Sequence, residues 1–178
     1  MTSGVLLVDP KYPHNVAGAY RAAACFGAES VNVFGDRVDL EAKGKFRLPR
    51  EERMRAYRDE VILRDVDRAQ VNMLVEYGNF TPVCVEVDPT AEQLHHFVHP
   101  DNALYVFGPE DGSVPKGWRT FCHRFVVIPS YHCLNLAGAV YTVLYDRVAK
   151  RRLAGLEAEL PSSELMSREK RGYAEHWE

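Results

Sequence analysis

Apolar residues in this chain gather into short, unbroken runs. "GVLLV" (4–8), "SVNVF" (30–34), "EVIL" (60–63), "PVCVEV" (82–87), "ALYVF" (103–107) and "RFVVI" (124–128) each have the length of one strand. Few of them alternate apolar with polar positions, which is the mark of strands covered on both faces. Helical patterns lie between them. Asn15 is placed to cap a helix running to about Phe26 and stopped by Gly27. Asp67 caps a second to about Tyr77, stopped by Gly78. Thr90 and Gln93 form a capping-box pair opening a short helix to about Phe97. A long helix runs from about Leu134 to Arg152. The alternation predicts an α/β domain, a parallel sheet with helices on both faces. Ligands of such sheets bind at the carboxyl ends of the strands. The domain is expected over residues 1–154. The polar remainder, 155–178, carries Pro161, Ser162 and Ser163 and is expected to be partly disordered or to wrap a partner.

A chain of 178 residues suits one such domain with a full-sized core, and 46% hydrophobic with 26% charged residues is ordinary for a soluble protein. There is no N-terminal signal pattern. The longest uncharged stretch, Phe125–Tyr145, is broken by Pro129, Ser130, His132 and Asn135, so it reads as strand, loop and helix, not as a membrane span. A cytoplasmic protein without membrane association is expected. Cys25, Cys84, Cys122 and Cys133 form no CxxC and read as buried free thiols. His95 and His99 are spaced i, i+4, but no zinc spacing occurs, and no metal is expected.

The net charge of −3 does not advertise nucleic-acid binding. The distribution changes that picture. "KGKFRLPREERMRAYR" (43–58) sets Lys43, Lys45, Arg47, Arg50, Arg53, Arg55 and Arg58 against Glu51 and Glu52. Arg147, Lys150, Arg151 and Arg152 form a second basic cluster at the end of the long helix. Both are solvated faces or phosphate-binding patches.

Three segments place polar residues at strand ends in otherwise apolar chain. In "PHNVAGAYRAAACFGA" (13–28), Arg21 is the one formally charged residue and stands on an alanine-rich helix expected to be largely buried. A guanidinium keeps its proton there, so it needs a carboxylate, solvent or a phosphate. In "VFGPEDGSVP" (106–115), Gly108 and Gly112 let backbone approach a ligand, and Glu110 is available to Arg21 or to a ligand hydroxyl. In "IPSYHCLNLAGAVYTVLYDR" (128–147), Asn135 begins a helix otherwise apolar for three turns, where free N–H groups are presented.

These three segments, in this order, resemble the SpoU/TrmH class of SPOUT RNA methyltransferases, over about residues 4–152. In extent the chain is similar to the minimal, TrmL-like members, which act on tRNA. The resemblance implies a C-terminal segment tucked into a trefoil knot, an S-adenosyl-L-methionine site within it, and a homodimer with active sites near the interface. It implies methyl transfer to a ribose 2′-hydroxyl of RNA, with tRNA ahead of rRNA. Residue by residue, it makes Asn15, Arg21, Glu110 and Asn135 the catalytic set. Arg21 is then the residue proposed to orient or activate the hydroxyl, with Glu110 beside it. Phe107, Gly108, Gly112, Ile128, Cys133 and Leu134 carry the cofactor loops. RNA is assigned to the 43–58 segment and to the cluster at 147–152. Three positions depart from the family pattern: Ala17 where Gly is usual, Gly112 one place early, and Cys133 for Ser. Two rival readings follow: a SPOUT-like protein that binds RNA without modifying it, and an unrelated nucleotide-binding protein or Cys-His hydrolase using His132 and Cys133.

Overall fold

The computed structural model describes residues 1–44, 48 and 60–159. Of the basic segment, Lys45, Arg47, Arg50, Arg53, Arg55 and Arg58 lie outside the described residues, as does the tail from residue 160. The chain divides into two compact units, Met1–Arg147 and Val148–Glu178. The first holds the sheet. Its elements are β1 (Ser3–Val8), α1 (Pro13–Phe26), β2 (Ser30–Phe34), β3 (Ile62–Asp65), α2 (Arg68–Gly78), β4 (Thr81–Val85), β5 (Glu92–Gln93), β6 (Ala103–Phe107), α3 (Lys116–Arg119), β7 (Arg124–Val127) and the start of α4 (Leu136–Leu153). In the second unit, the described residues are the last turns of α4 and the segment to Glu159, where Arg151 Nε donates to Glu157 Oε1 at 2.5 Å.

Among the described residues every strand pair is parallel, in the order β3-β2-β1-β6-β4-β7-β5. Alternation within strands sends side chains to two separate apolar layers. Val5, Leu7, Tyr105 and Phe107 join α1 and the first part of α4 on one face. Leu6, Val8, Leu104 and Val106 join Val71 of α2 and Trp118 of α3 on the other. The sheet is covered on both faces, as the unbroken apolar runs predict. From β1 the chain turns toward β2; from β6 it crosses toward β7. The order therefore reverses between β1 and β6, and a crevice opens beyond their carboxyl ends.

Local chemistry sets several boundaries differently from the sequence pattern. Pro13 opens α1 with Tyr12 as its N-cap, so Asn15 lies inside the first turn and is no cap. Residues 90–97 form no α-helix: Thr90 folds back onto Asp88 Oδ1, and β5 and a single 3-10 turn follow. The strand expected at 60–63 runs over Ile62–Asp65. Asp67 and Gln70 make a reciprocal capping box, and Asn79, in the left-handed region, ends α2 in place of Gly78.

Cys84 and Cys122 are buried, as expected, while Cys25 and Cys133 are exposed. The hydrogen bond between Cys122 and Cys84, together with burial, pushes the Cys122 thiol well up, so it stays protonated. Arg147 is 3% exposed and donates to the carbonyls of Pro100 and Asp101, both at 2.7 Å, and of Thr2 at 3.2 Å. Arg151 is also buried. These two side chains are therefore withdrawn from the phosphate-binding role expected of the cluster at 147–152.

Candidate active site at the carboxyl edge of the sheet

Three loops meet beyond the carboxyl ends of β1, β6 and β7. The first, Asp9–Tyr12, enters α1. Its free backbone N–H groups face the second loop, where Glu110 accepts from Lys11 N (2.7 Å), Tyr12 N (3.3 Å) and Asn15 Nδ2 (2.7 Å). Asn15 is 4% exposed, so its amide is spent on this carboxylate. Partial burial works to raise the Glu110 carboxyl. The Asn15 amide and the backbone N–H groups outweigh it and hold the group below the usual carboxylate range. Glu110 is thus an ionised clamp on the start of α1.

Asp111 extends the clamp outward. Arg37 grips it with both guanidinium nitrogens (3.0 and 2.8 Å), and Lys11 Nζ lies 3.2 Å away. Those two cations hold the Asp111 carboxyl well down. The loop itself depends on Gly108. A Cβ there would stand 2.7 Å from Val114 N and 3.0 Å from the Ser113 carbonyl carbon, both backbone. At Gly112 a Cβ would meet Pro109 at an ordinary 3.6 Å.

The third loop follows β7. Ser130 Oγ donates to the His132 carbonyl at 2.9 Å, and Asn135 caps α4 by accepting from Gly138 N at 2.6 Å. Gly138 is suited to that cap, since a Cβ would press to 2.8 Å from the same oxygen. Gly18 of α1 in turn lets Ala137 approach to 2.6 Å of where its Cβ would be. Neither glycine carries a signal in a single sequence that separates it from an ordinary helical one.

Between these loops lies a cleft of about 200 Å3. Phe107, Gly108, Gly112, Ile128, Cys133 and Leu134, the six residues expected in the cofactor loops, all line it. So do Glu110 and the apolar side chains of Val85, Val127, Leu136 and Ala139. Apolar walls, a backbone surface left open by glycine and a few carboxylate and hydroxyl oxygens suit a flat base carrying polar substituents. Glu86, at the end of β4, also lines the cleft. Sequence reasoning passed over it, although it is the sole charged position in the "PVCVEV" run.

Arg21 is placed otherwise than expected. It is exposed, and none of the described residues forms a hydrogen bond or ion pair with it. The buried face of α1 carries Asn15, Val16, Ala19, Tyr20, Ala22 and Ala23. The 100° step per residue turns position 21 away from position 15. Glu110 is therefore joined to Asn15 and not to Arg21. Lys43 is exposed. Among the described residues no cluster of His, Cys, Asp and Glu is arranged to hold a metal, and no helix is long and apolar enough to cross a membrane.

Comparison with known proteins bears on this geometry. Residues 3–145 match the model of the SpoU rRNA Methylase family. Among solved structures, the chain resembles the SpoU methyltransferase AviRb from Streptomyces viridochromogenes in complex with AdoMet, with 25% identity and TM-score 0.68. That match covers 84% of this chain and 60% of AviRb, so the chain spans about three fifths of that protein's length. The TrmH/SpoU tRNA modifying enzyme of A. aeolicus shares the fold at 20% identity and TM-score 0.70, over 91% of this chain and 82% of that one. A structure concerned with 2-OH methylation on tRNA shares it at 22% identity and TM-score 0.66, over 86% and 97%. No curated protein matches the sequence. The parallel sheet, its flanking helices and the strand order are those of the SPOUT type and are consistent with its trefoil-knot topology. With four fifths of its length matched and the three loops converging on one cleft, the chain belongs to the SpoU rRNA methylase family.

Proposed function

We propose that this protein is an S-adenosyl-L-methionine-dependent RNA methyltransferase that modifies a ribose 2′-hydroxyl, with tRNA as its first substrate class and rRNA as the alternative. The observation that carries the reading is the shared cleft: the loops after β6 and β7 line it, and the Asn15–Glu110 clamp borders it. The residues present fit the cofactor. Ile128, Leu134, Leu136 and Ala139 offer apolar walls for an adenine, and Gly108 leaves backbone bare beside it. Bound there, the cofactor supplies a methyl group already activated by the sulfonium charge. The chain's own work is to orient the acceptor and let one proton leave. Glu110 is occupied in holding the start of α1. The developing oxyanion is therefore assigned to Arg21, whose exposed guanidinium is free to meet RNA, and the proton leaves to solvent water. Arginine is a poor base, so we assign it mainly to orienting a phosphate and stabilising the alkoxide. We further propose a homodimer in which a second copy helps complete the site, since Arg21 is turned away from Asn15 on α1 and stands exposed.

Lys43 and the basic stretch after it are proposed to carry RNA. tRNA comes first because two of the solved structures that share the fold concern tRNA modification. We likewise propose a TrmL-like specificity and a cytoplasmic location. The test is transfer of labelled methyl from S-adenosylmethionine to total tRNA and, separately, to rRNA, with Arg21→Ala as control. Label in one pool, lost in the variant, supports the enzyme and its substrate class. Cofactor binding by calorimetry without transfer to any RNA favours the binding-only reading. No cofactor binding overturns the proposal.

A further inference from the structure

The cleft carries a second carboxylate with a different use. Glu110 is consumed by three donors, and Ser130 is turned onto a carbonyl. Glu86 is neither. Its Oε2 accepts from Val114 N at 2.8 Å, and its Oε1 accepts from Val87 N at 2.9 Å. The bond from Val114 ties the end of β4 to the far side of the Gly108 loop, and with the local bond from Val87 it fixes the plane of the carboxylate. An ionised carboxylate has about four acceptor directions, so a lone pair on each oxygen remains. No Lys, Arg or His among the described residues pairs with it. A half-buried carboxylate without a cation, fixed by backbone and set among apolar residues, is expensive to keep unless something else uses it.

Strand order says what that is. Across the carboxyl edge the sequence of neighbours is β7, β4, β6, β1, with roughly 4.8 Å between strands. Ile128 follows β7, Glu86 follows β4, Gly108 and Glu110 follow β6, and Asn15 lies beyond β1. A nucleoside methyl donor with its base on the apolar Ile128–Leu134 side and its reactive end toward the Asn15–Glu110 side passes its sugar over β4. A ribose presents two adjacent hydroxyl donors, matching two adjacent acceptor oxygens. We infer that Glu86 is the residue that binds the cofactor's ribose, accepting its vicinal 2′- and 3′-hydroxyls, and so selects a ribonucleoside donor. This rests on the reading of the cleft as the S-adenosylmethionine site.

The experiment is a double-mutant cycle read by calorimetry, with no turnover required. Wild type, Glu86→Gln and Glu86→Ala are each titrated with S-adenosylhomocysteine and with its 2′-deoxy analogue. Glu86→Gln keeps an acceptor for Val114 N and guards against a collapsed loop, and thermal melts confirm that each variant folds. Wild type is expected to lose about 10- to 100-fold in affinity when the hydroxyl is removed, the range for a hydrogen bond to a charged group. Both variants lose affinity for S-adenosylhomocysteine and no longer distinguish it from the deoxy analogue. If the variants weaken both ligands equally and keep the full preference for the hydroxyl, Glu86 is a loop anchor and the inference is overturned while the cofactor reading stands. If wild type binds neither ligand, the cofactor reading fails and this inference fails with it.

Discussion

Asn15 and Glu110 lie on different loops of the sheet edge, yet Asn15 Nδ2 donates to Glu110 Oε1 at 2.7 Å. The same carboxylate takes the N–H groups of Lys11 and Tyr12, so one side chain joins the loop after β1 to the loop after β6. Two motifs far apart in sequence thus act as one piece, and damage to either should reach the other. Glu110→Ala leaves three donors without their acceptor and is expected to cost about 1.5–3 kcal/mol. Glu110→Gln keeps one acceptor and should cost less. Asn15→Asp sets two carboxylates against each other and should be the worst of the three at neutral pH. Urea unfolding of the four proteins checks the order; a silent Glu110→Ala would mean that the clamp is not holding the loops.

The clamp also makes an acid-side prediction. The Glu110 carboxyl sits below its ordinary value of 4.5 in the folded chain, because Asn15 and the backbone N–H groups outweigh the opposing effect of burial. A depressed folded value means that the ionised form is favoured by folding. Its contribution is complete above 4.5 and is lost as pH falls through the folded value. The stability gap between wild type and Glu110→Gln should therefore be flat from neutrality down toward the ordinary value of 4.5 and shrink as pH falls below it. Asp111, held down by Arg37 and then Lys11, shifts the same way but is exposed, so its share is small. Unfolding curves across that range decide it: a gap unchanged at the acid end would exclude Glu110 as its source.

Most of the fold was legible because the strands are continuous apolar runs and several helix caps are spelled out in short-range chemistry. Asp67 with Gln70 and Asn135 with Gly138 are local devices, readable without tertiary knowledge. What failed was what only packing decides. Thr90 and Gln93 look like a capping box, but Thr90 prefers Asp88, two residues away. Arg21 looks buried because its neighbours are alanines, yet helix phase turns it outward. The six residues expected by resemblance to hold the cofactor line one cleft. Glu86 was not, since a lone glutamate at a strand end becomes notable only when its neighbours across the sheet are known.

Glycine requirements in the cleft differ by position. At Gly108 an added methyl would strike Val114 N and Ser113 backbone, which cannot swing aside as a side chain can. Gly108→Ala should displace the loop, cost about 1–3 kcal/mol and weaken S-adenosylhomocysteine binding by about tenfold or more. Gly112→Ala meets Pro109 at ordinary contact distance and should change neither property appreciably. Parallel melts and titrations test the pair. Equal tolerance at both positions would remove the Gly108 backbone from the proposed cofactor wall.

Arg21 should separate activity from stability. It is exposed and joined to none of the described residues, so Arg21→Ala is expected to shift stability by no more than about 0.5 kcal/mol. Methyl transfer should nevertheless be lost. Arg21→Lys should recover little of it, because an ammonium cannot make the guanidinium's planar two-point contact. A stable Arg21→Lys variant with near-normal turnover would assign the phosphate and the developing alkoxide to another residue.

Arg147 predicts the reverse. Its guanidinium is buried against the carbonyls of Pro100, Asp101 and Thr2, joining α4 to the start of β1 and to the turn before β6. Truncation strips these acceptors of a charged donor inside the structure, where water does not readily replace it. Arg147→Ala is expected to lose about 2–4 kcal/mol of stability. RNA contacts behave differently: each phosphate neutralised by a cation adds to the salt dependence of binding. Arg147→Ala, measured at a temperature where it remains folded, should bind RNA with the same salt slope as wild type. Lys43→Ala, exposed and beside the basic segment, should lower the slope with little change in melting temperature. If Arg147→Ala proved fully stable and lowered the slope, the cluster at the end of α4 would belong to the RNA surface after all.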